Sequence, residues 1–165
     1  MQKKNKFKNI LLNKIKKKDI KVGIIGLGYV GLPLSIHYAL KKINTFGFDI
    51  DTNKIKSINK GKSYIKQIND DVIKKTKKHL TVSSDFTLIK KCDVIVICLP
   101  TPLKKKFIPN LEYITKTIDV IKKYLRVGQM ISLESTSYPG TTEDLIYKKL
   151  YKKFNIGKNL FICFS

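Results

Sequence analysis

The run Val22-Gly23-Ile24-Ile25-Gly26-Leu27-Gly28-Tyr29-Val30-Gly31-Leu32-Pro33 constrains this chain more than any other stretch. An apolar segment breaks at three spaced glycines and resumes as an apolar segment, the pattern of a strand, a tight turn and a helix start. Each glycine has a separate task in such a turn. Gly26 can take the backbone angles of a tight bend, Gly28 lets the main chain approach a bulky anion, and Gly31 lets the helix lie close on its strand. The helix N-terminal amides would then face a pyrophosphate. Glycines also fall into G-x-G-x-x-G by chance or serve ordinary turns, so the surrounding sequence must decide.

That sequence favours a dinucleotide site. A helical stretch from Leu32 to Lys42 leads to Thr45-Phe46-Gly47-Phe48, which ends in Asp49, 18 residues after Gly31. This is close to the roughly 20 residues that separate the glycines from a ribose-binding acid at the end of a second strand. Asp49 would accept hydrogen bonds from the adenosine ribose, and its charge would repel a 2′-phosphate, which selects NAD over NADP. The other reading of Asp49 is a turn residue before a helix. Lys54, near the start of that helix, could reach the adenosine side of the ligand or be one more surface lysine.

Further along, the apolar periods predict strands at Ile20–Ile25, Leu80–Val82, Asp93–Leu99, Gln129–Leu133 and Leu160–Phe164, besides Thr45–Phe48. Helices are expected up to Asn59 with Asp51 or Thr52 as cap, at Asp70–Lys78, in a turn capped by Ser84 or Asp85, and from Asn110 to Tyr124 with Ile114, Ile118 and Ile121 inward. Residues 61–69 read as a loop. Six strands with five mostly helical connections give a doubly wound parallel sheet of the Rossmann type. Ligands bind outside the carboxyl ends of such strands. That makes Thr101, held between Pro100 and Pro102 just past a strand, a candidate cofactor contact. The hydroxyl-rich stretch Glu134-Ser135-Thr136-Ser137-Tyr138-Pro139-Gly140-Thr141-Thr142 lies past the next one. Helix capping by Thr141 or Thr142 accounts for part of it and leaves Ser135 and Thr136 without a reason.

The 165 residues suffice for one sizeable domain. We divide them into a basic amphipathic helix at 1–19, with Phe7, Ile10, Leu11 and Ile15 on one side, and a nucleotide-binding domain at 20–165. The net charge of +22 suggests nucleic acid, but of the 34 basic residues only Arg126 is an arginine. Recognition of bases and phosphates favours the bidentate guanidinium, so no specific nucleic-acid partner is expected, only non-specific attraction to polyanions. No apolar run is long enough to span a bilayer, no secretory signal is recognisable, and a cytoplasmic protein is expected. Cys92, Cys98 and Cys163 lack metal-ligand spacing, and no metal site is expected. Cys98 reads as a small core residue rather than a nucleophile. His37 and His79 are isolated and take no catalytic role.

Taken together, Gly26 to Pro33, Gly47-Phe48-Asp49-Ile50-Asp51, Pro100-Thr101-Pro102-Leu103 and Glu134 to Thr142 resemble the N-terminal domain of the UDP-glucose/GDP-mannose dehydrogenase family. The last stretch is most similar to the branch acting on UDP-N-acetylglucosamine and related UDP-N-acetyl-hexosamines. The resemblance implies NAD-dependent, two-step oxidation of a sugar C6 alcohol to a uronic acid, for surface polysaccharide precursors, by a homo-oligomeric enzyme. It also implies cofactor roles for Tyr29 and Val30 in the phosphate turn, Asp49 and Lys54 at the adenosine ribose, and Thr101 and Thr136 toward the nicotinamide. Thr136 matches a threonine that helps hold a catalytic water. The family's catalytic glutamate, lysine, asparagine, cysteine and aspartate, and the domains that close over the UDP-sugar, have no counterpart in these 165 residues. The expectation is therefore a cofactor-binding portion that is inactive alone. A non-catalytic nucleotide-binding module is the alternative, and a basic nucleic-acid-binding protein a weaker one.

Overall fold

In the computed structural model, which describes residues 6–102, 109–135 and 140–164, six parallel strands form one sheet in the order β3-β2-β1-β4-β5-β6. The strands are β1 (Lys21–Ile25), β2 (Asn44–Phe48), β3 (Leu80–Ser83), β4 (Val94–Ile97), β5 (Gln129–Leu133) and β6 (Leu160–Phe164). Order reverses between β1 and β4. The crevice at that reversal, beyond the carboxyl ends of the strands, is where doubly wound sheets bind ligands.

Burial on both faces explains why the central strands read as continuous apolar runs. Ile25, Phe48, Ile95, Ile97, Ile131 and Leu133 point to one face and pack with Ile114, Ile118 and Ile121 of helix α5 (Glu112–Ile121). Val22, Ile24, Val94 and Val96 point to the other face and meet Leu11 of α1 (Lys6–Lys16). Leu32 and Ile36 of α2 (Gly31–Leu40), Ile58 of α3 (Thr52–Asn59) and Ile73 of α4 (Asp70–Thr76) complete that side around Val82. Asp51 caps α3 by accepting the Asn53 N–H at 2.9 Å, and Asp85 caps a 3-10 turn, Phe86–Lys91, through the Thr87 N–H. A π-helical segment, Thr142–Tyr147, runs into the short α6 (Lys148–Leu150). Of the two expected caps, Thr141 and Thr142, Thr141 stands at the cap position and makes no side-chain capping bond there.

The lead-in helix buries only part of its apolar side against the sheet. Leu11 is buried, whereas Ile10, Leu12 and Ile15 are 42–46% exposed. Leu11 and an ion pair tie the helix to the sheet. Lys14 Nζ lies 2.8 Å from Asp93 Oδ1, which also receives Arg126 Nη2 at 2.9 Å, while Asp93 Oδ2 accepts the Lys21 N–H. The lone arginine is thus structural: it donates to the Lys90, Cys92 and Val127 carbonyls as well, at the sheet edge opposite the strand carboxyl ends. Burial raises the Asp93 carboxyl, but Lys14, the Lys21 amide and Arg126 outweigh it and hold the group below the ordinary carboxylate range. No helix among the described residues is long and apolar enough to cross a membrane.

Candidate nucleotide-binding site

The strand register brings four chain positions into one row. Ile25 pairs with Phe48 and with Ile97, and Ile97 pairs with Leu133. The next residues, Gly26, Asp49, Cys98 and Glu134, therefore step off the sheet side by side. They border a cavity of about 620 Å³, which also meets Gly28, Tyr29, Val30, Lys54, Leu99 and Thr101. The stacked rings of Phe48 and Phe86, with centroids 5.6 Å apart, contribute an apolar wall.

The three glycines differ as their spacing predicts. Gly26 has φ +92°, and a β-carbon there would sit 2.4 Å from the Cys98 carbonyl oxygen; at Gly31 it would sit 1.8 Å from the Gly26 carbonyl oxygen. The turn closes and α2 seats on it only because both lack side chains. At Gly28 a β-carbon would meet nothing within 4 Å, so the main chain there borders open cavity. Val30, at the cap of α2, offers no side-chain acceptor to the first helical amides. Tyr29 is 79% and Val30 58% exposed at the cavity mouth.

Asp49 is 8% exposed and belongs to the turn as well as to β2. Its Oδ2 accepts the Leu27 N–H at 2.9 Å and lies 3.1 Å from Lys54 Nζ, while Oδ1 accepts the Asp51 N–H at 3.0 Å. A carboxylate offers about four acceptor positions. Three are filled, leaving Oδ1 one for a ligand hydroxyl, and Lys54 keeps further N–H donors. Asp49 is thus bonded at once to the glycine turn, to the start of α3 and to Lys54, and both side chains border the cavity.

Beyond β4, Thr101 lines the cavity and Leu99 is tied to the end of β5: the Ser135 hydroxyl accepts the Leu99 N–H at 2.9 Å and reaches the Ile97 carbonyl at 3.3 Å. Ser135 thus has a structural purpose that helix capping does not supply. Thr136, expected near the nicotinamide, lies outside the described residues. Glu134, for which the sequence suggested no role, borders the cavity and accepts a bond from Ser132 at 2.7 Å. Its signal is positional, since it follows β5 as Asp49 follows β2. Cys98 is buried beneath Gly31, and burial together with Glu134 pushes its thiol up to about 11; burial and Asp93 push Cys92 up to about 12. Neither is a nucleophile at neutral pH. Among the described residues, no group of three or more His, Cys, Asp or Glu is arranged to hold a metal ion.

Residues 20–162 match the model of the UDP-glucose/GDP-mannose dehydrogenase family, NAD binding domain. The chain is 40% identical over 130 residues to the UDP-N-acetyl-D-mannosamine dehydrogenase of Campylobacter jejuni, covering 76% of this chain and 31% of that protein. It is 35% identical over 127 residues to the UDP-N-acetyl-D-glucosamine 6-dehydrogenase of Pseudomonas aeruginosa, covering 77% and 30%. The structure of the UDP-N-acetyl-mannosamine dehydrogenase of Staphylococcus aureus superposes with a TM-score of 0.81 at 27% identity, over 87% of this chain and 35% of that one. The chain thus spans about a third of the length of the relatives it matches.

Proposed function

This chain belongs to the UDP-glucose/GDP-mannose dehydrogenase family, as its NAD-binding domain, and on that premise we propose that it serves a UDP-sugar 6-dehydrogenase acting on a UDP-N-acetyl-hexosamine. The product is the uronic acid, a precursor for surface polysaccharide. Relatives named for UDP-N-acetyl-D-mannosamine and UDP-N-acetyl-D-glucosamine support that substrate class. NAD, when bound, accepts hydride from the sugar C6 carbon.

The residues of this chain supply binding and orientation. The observation that carries the reading is the bond from the Leu27 N–H to Asp49, which couples the ribose-side carboxylate to the turn that cradles the diphosphate. Gly26, Gly28, Tyr29, Val30 and Gly31 form the cradle, with the amides of α2 behind it. Asp49 and Lys54 hold the adenosine ribose. Thr101 contacts the nicotinamide half, and Thr136, assigned from resemblance, completes that end and positions a water for proton transfer. The UDP-sugar site lies mostly in parts of the relatives that this chain does not match, and the working enzyme is a homo-oligomer. The three free cysteines of this chain suit a reducing compartment, and we place the protein in the cytoplasm. Calorimetric titration with NAD tests the reading. Asp49→Ala is expected to weaken binding at least about tenfold, the scale of charge-assisted bonds worth ~1.5–3 kcal/mol. Equal affinity of the two proteins would overturn it.

A further inference from the structure

The connection between α3 and α4, blank in the sequence, is firmly built. Ser57 Oγ donates to the Lys62 carbonyl, the Ser63 N–H donates to Asp70 at 2.7 Å, and Ile65 is 5% exposed in the apolar cluster with Leu27 and Leu32. This frame holds Tyr64 half-buried with its ring packed on the same cluster. The Tyr64 hydroxyl crosses 37 residues of sequence to donate to the Leu27 carbonyl. That peptide neighbourhood is therefore gripped twice, through the Leu27 N–H by Asp49 and through the Leu27 carbonyl by Tyr64.

A trans peptide holds its carbonyl and the following N–H in opposite directions. The Leu27 carbonyl and the Gly28 N–H share one peptide, so a carbonyl turned to Tyr64 turns the Gly28 N–H away from Tyr64, at the residue whose free side borders the cavity. We propose that Tyr64 is a positioning residue of the nucleotide site, fixing the Leu27–Gly28 peptide so that the Gly28 N–H faces a ligand diphosphate. The assignment rests on the cofactor reading given above. Without the hydroxyl, the Leu27 carbonyl loses its donor and the peptide can rotate to present an oxygen, rather than an N–H, to an anion. Burial, reinforced by the nearby Asp49 and Asp51 carboxylates, raises the Tyr64 hydroxyl well above the ordinary phenol range, so it remains a donor throughout the working pH. Lys54 Nζ lies 6.0 Å from the ring centroid, which places the ribose-side cation against the same side chain.

Tyr64→Phe removes the hydroxyl and keeps the ring in its packing. The wild-type chain, Tyr64→Phe and Asp49→Ala are titrated with NAD, ADP and adenosine by calorimetry, and the Gly28 amide is followed by 15N NMR. Tyr64→Phe is expected to weaken NAD and ADP by about threefold to tenfold, the effect one hydrogen bond supports. It should also shrink the ADP-induced shift of the Gly28 amide and leave adenosine affinity unchanged. Unchanged NAD and ADP affinities, with Asp49→Ala still impaired, would overturn the role of Tyr64 and leave the cofactor reading standing. An equal loss for adenosine would also overturn it, because the effect would then not pass through the phosphate turn. Failure of the wild-type chain to bind either NAD or ADP would remove both. Should Tyr64→Phe not fold, the wild-type NMR decides: the Gly28 amide is expected to respond to ADP and not to adenosine, and the reverse would refute the proposal.

Discussion

Gly31 has no room for even a methyl group, because the Gly26 carbonyl oxygen occupies the place its β-carbon would take, 1.8 Å away. The obstruction is backbone on both sides, so neither a rotamer change nor a flexible tip can relieve it. Gly31→Ala should cost about 3 kcal/mol, at the upper end of overpacking effects, with urea denaturation as the measurement. A change under about 0.5 kcal/mol would mean that α2 does not seat on the turn as described. At this scale the sequence was informative where a residue's task is local. Spacing alone predicted three different tasks for three glycines and placed Asp49 at the end of β2. It was silent where the partner is distant in the chain. Nothing near Tyr64 announces a bond to Leu27, and Ser135 acquires its purpose only when β4 and β5 lie side by side.

Among the elements, α1 combines one buried apolar residue with a part-buried ion pair. Its periodicity indicated a helix, and a helix forms, but Ile10 and Ile15 stay about half exposed while Leu11 and Lys14 make the contacts to the sheet. The acceptor is Asp93, at the start of β4, whose two cations come from α1 and from the turn after α5. Because its carboxyl is held below the ordinary value, its stabilising effect is fully present above the unfolded value near 3.8 and fades as pH falls through the lower folded value. Asp93→Asn should therefore lose about 2 kcal/mol at pH 7, the scale of a few weakened charge-assisted bonds. The loss should narrow below about pH 4, where the wild type surrenders the same interaction. Denaturation at pH 7 and pH 3 measures both; an undiminished difference at pH 3 would contradict the assignment. The strands were legible because burial on two faces leaves uninterrupted apolar runs, whereas the π-helical form of Thr142–Tyr147 has no signature in hydrophobic period.

For the whole molecule, one sheet edge gathers the turn after β1, the acid after β2 and the ends of β4 and β5 around a single cavity. At this edge Cys98 is buried and its thiol raised to about 11, and Cys92, at the opposite edge, is buried and raised to about 12. The catalytic cysteine, glutamate, lysine, asparagine and aspartate that the family resemblance implies have no counterpart here, so on the proposed function the 165-residue chain supplied with NAD and a UDP-N-acetyl-hexosamine should form no NADH above background. Sustained NADH formation, followed by absorbance, would show that the chemistry resides here after all. The surplus of lysine gave little guidance about partners, while the lone arginine, the residue type most associated with phosphate recognition, is spent on three carbonyls and Asp93. The proposed function makes the cavity a pocket for a dinucleotide that carries no 2′-phosphate. Parallel calorimetric titrations of this chain with NAD and NADP test that most directly. With Asp49 at the ribose, as proposed, NADP should bind at least about tenfold more weakly, a difference of ~1.4 kcal/mol that a like charge within a few ångströms supplies. Equal affinities, tighter NADP binding, or no binding of NAD would contradict it.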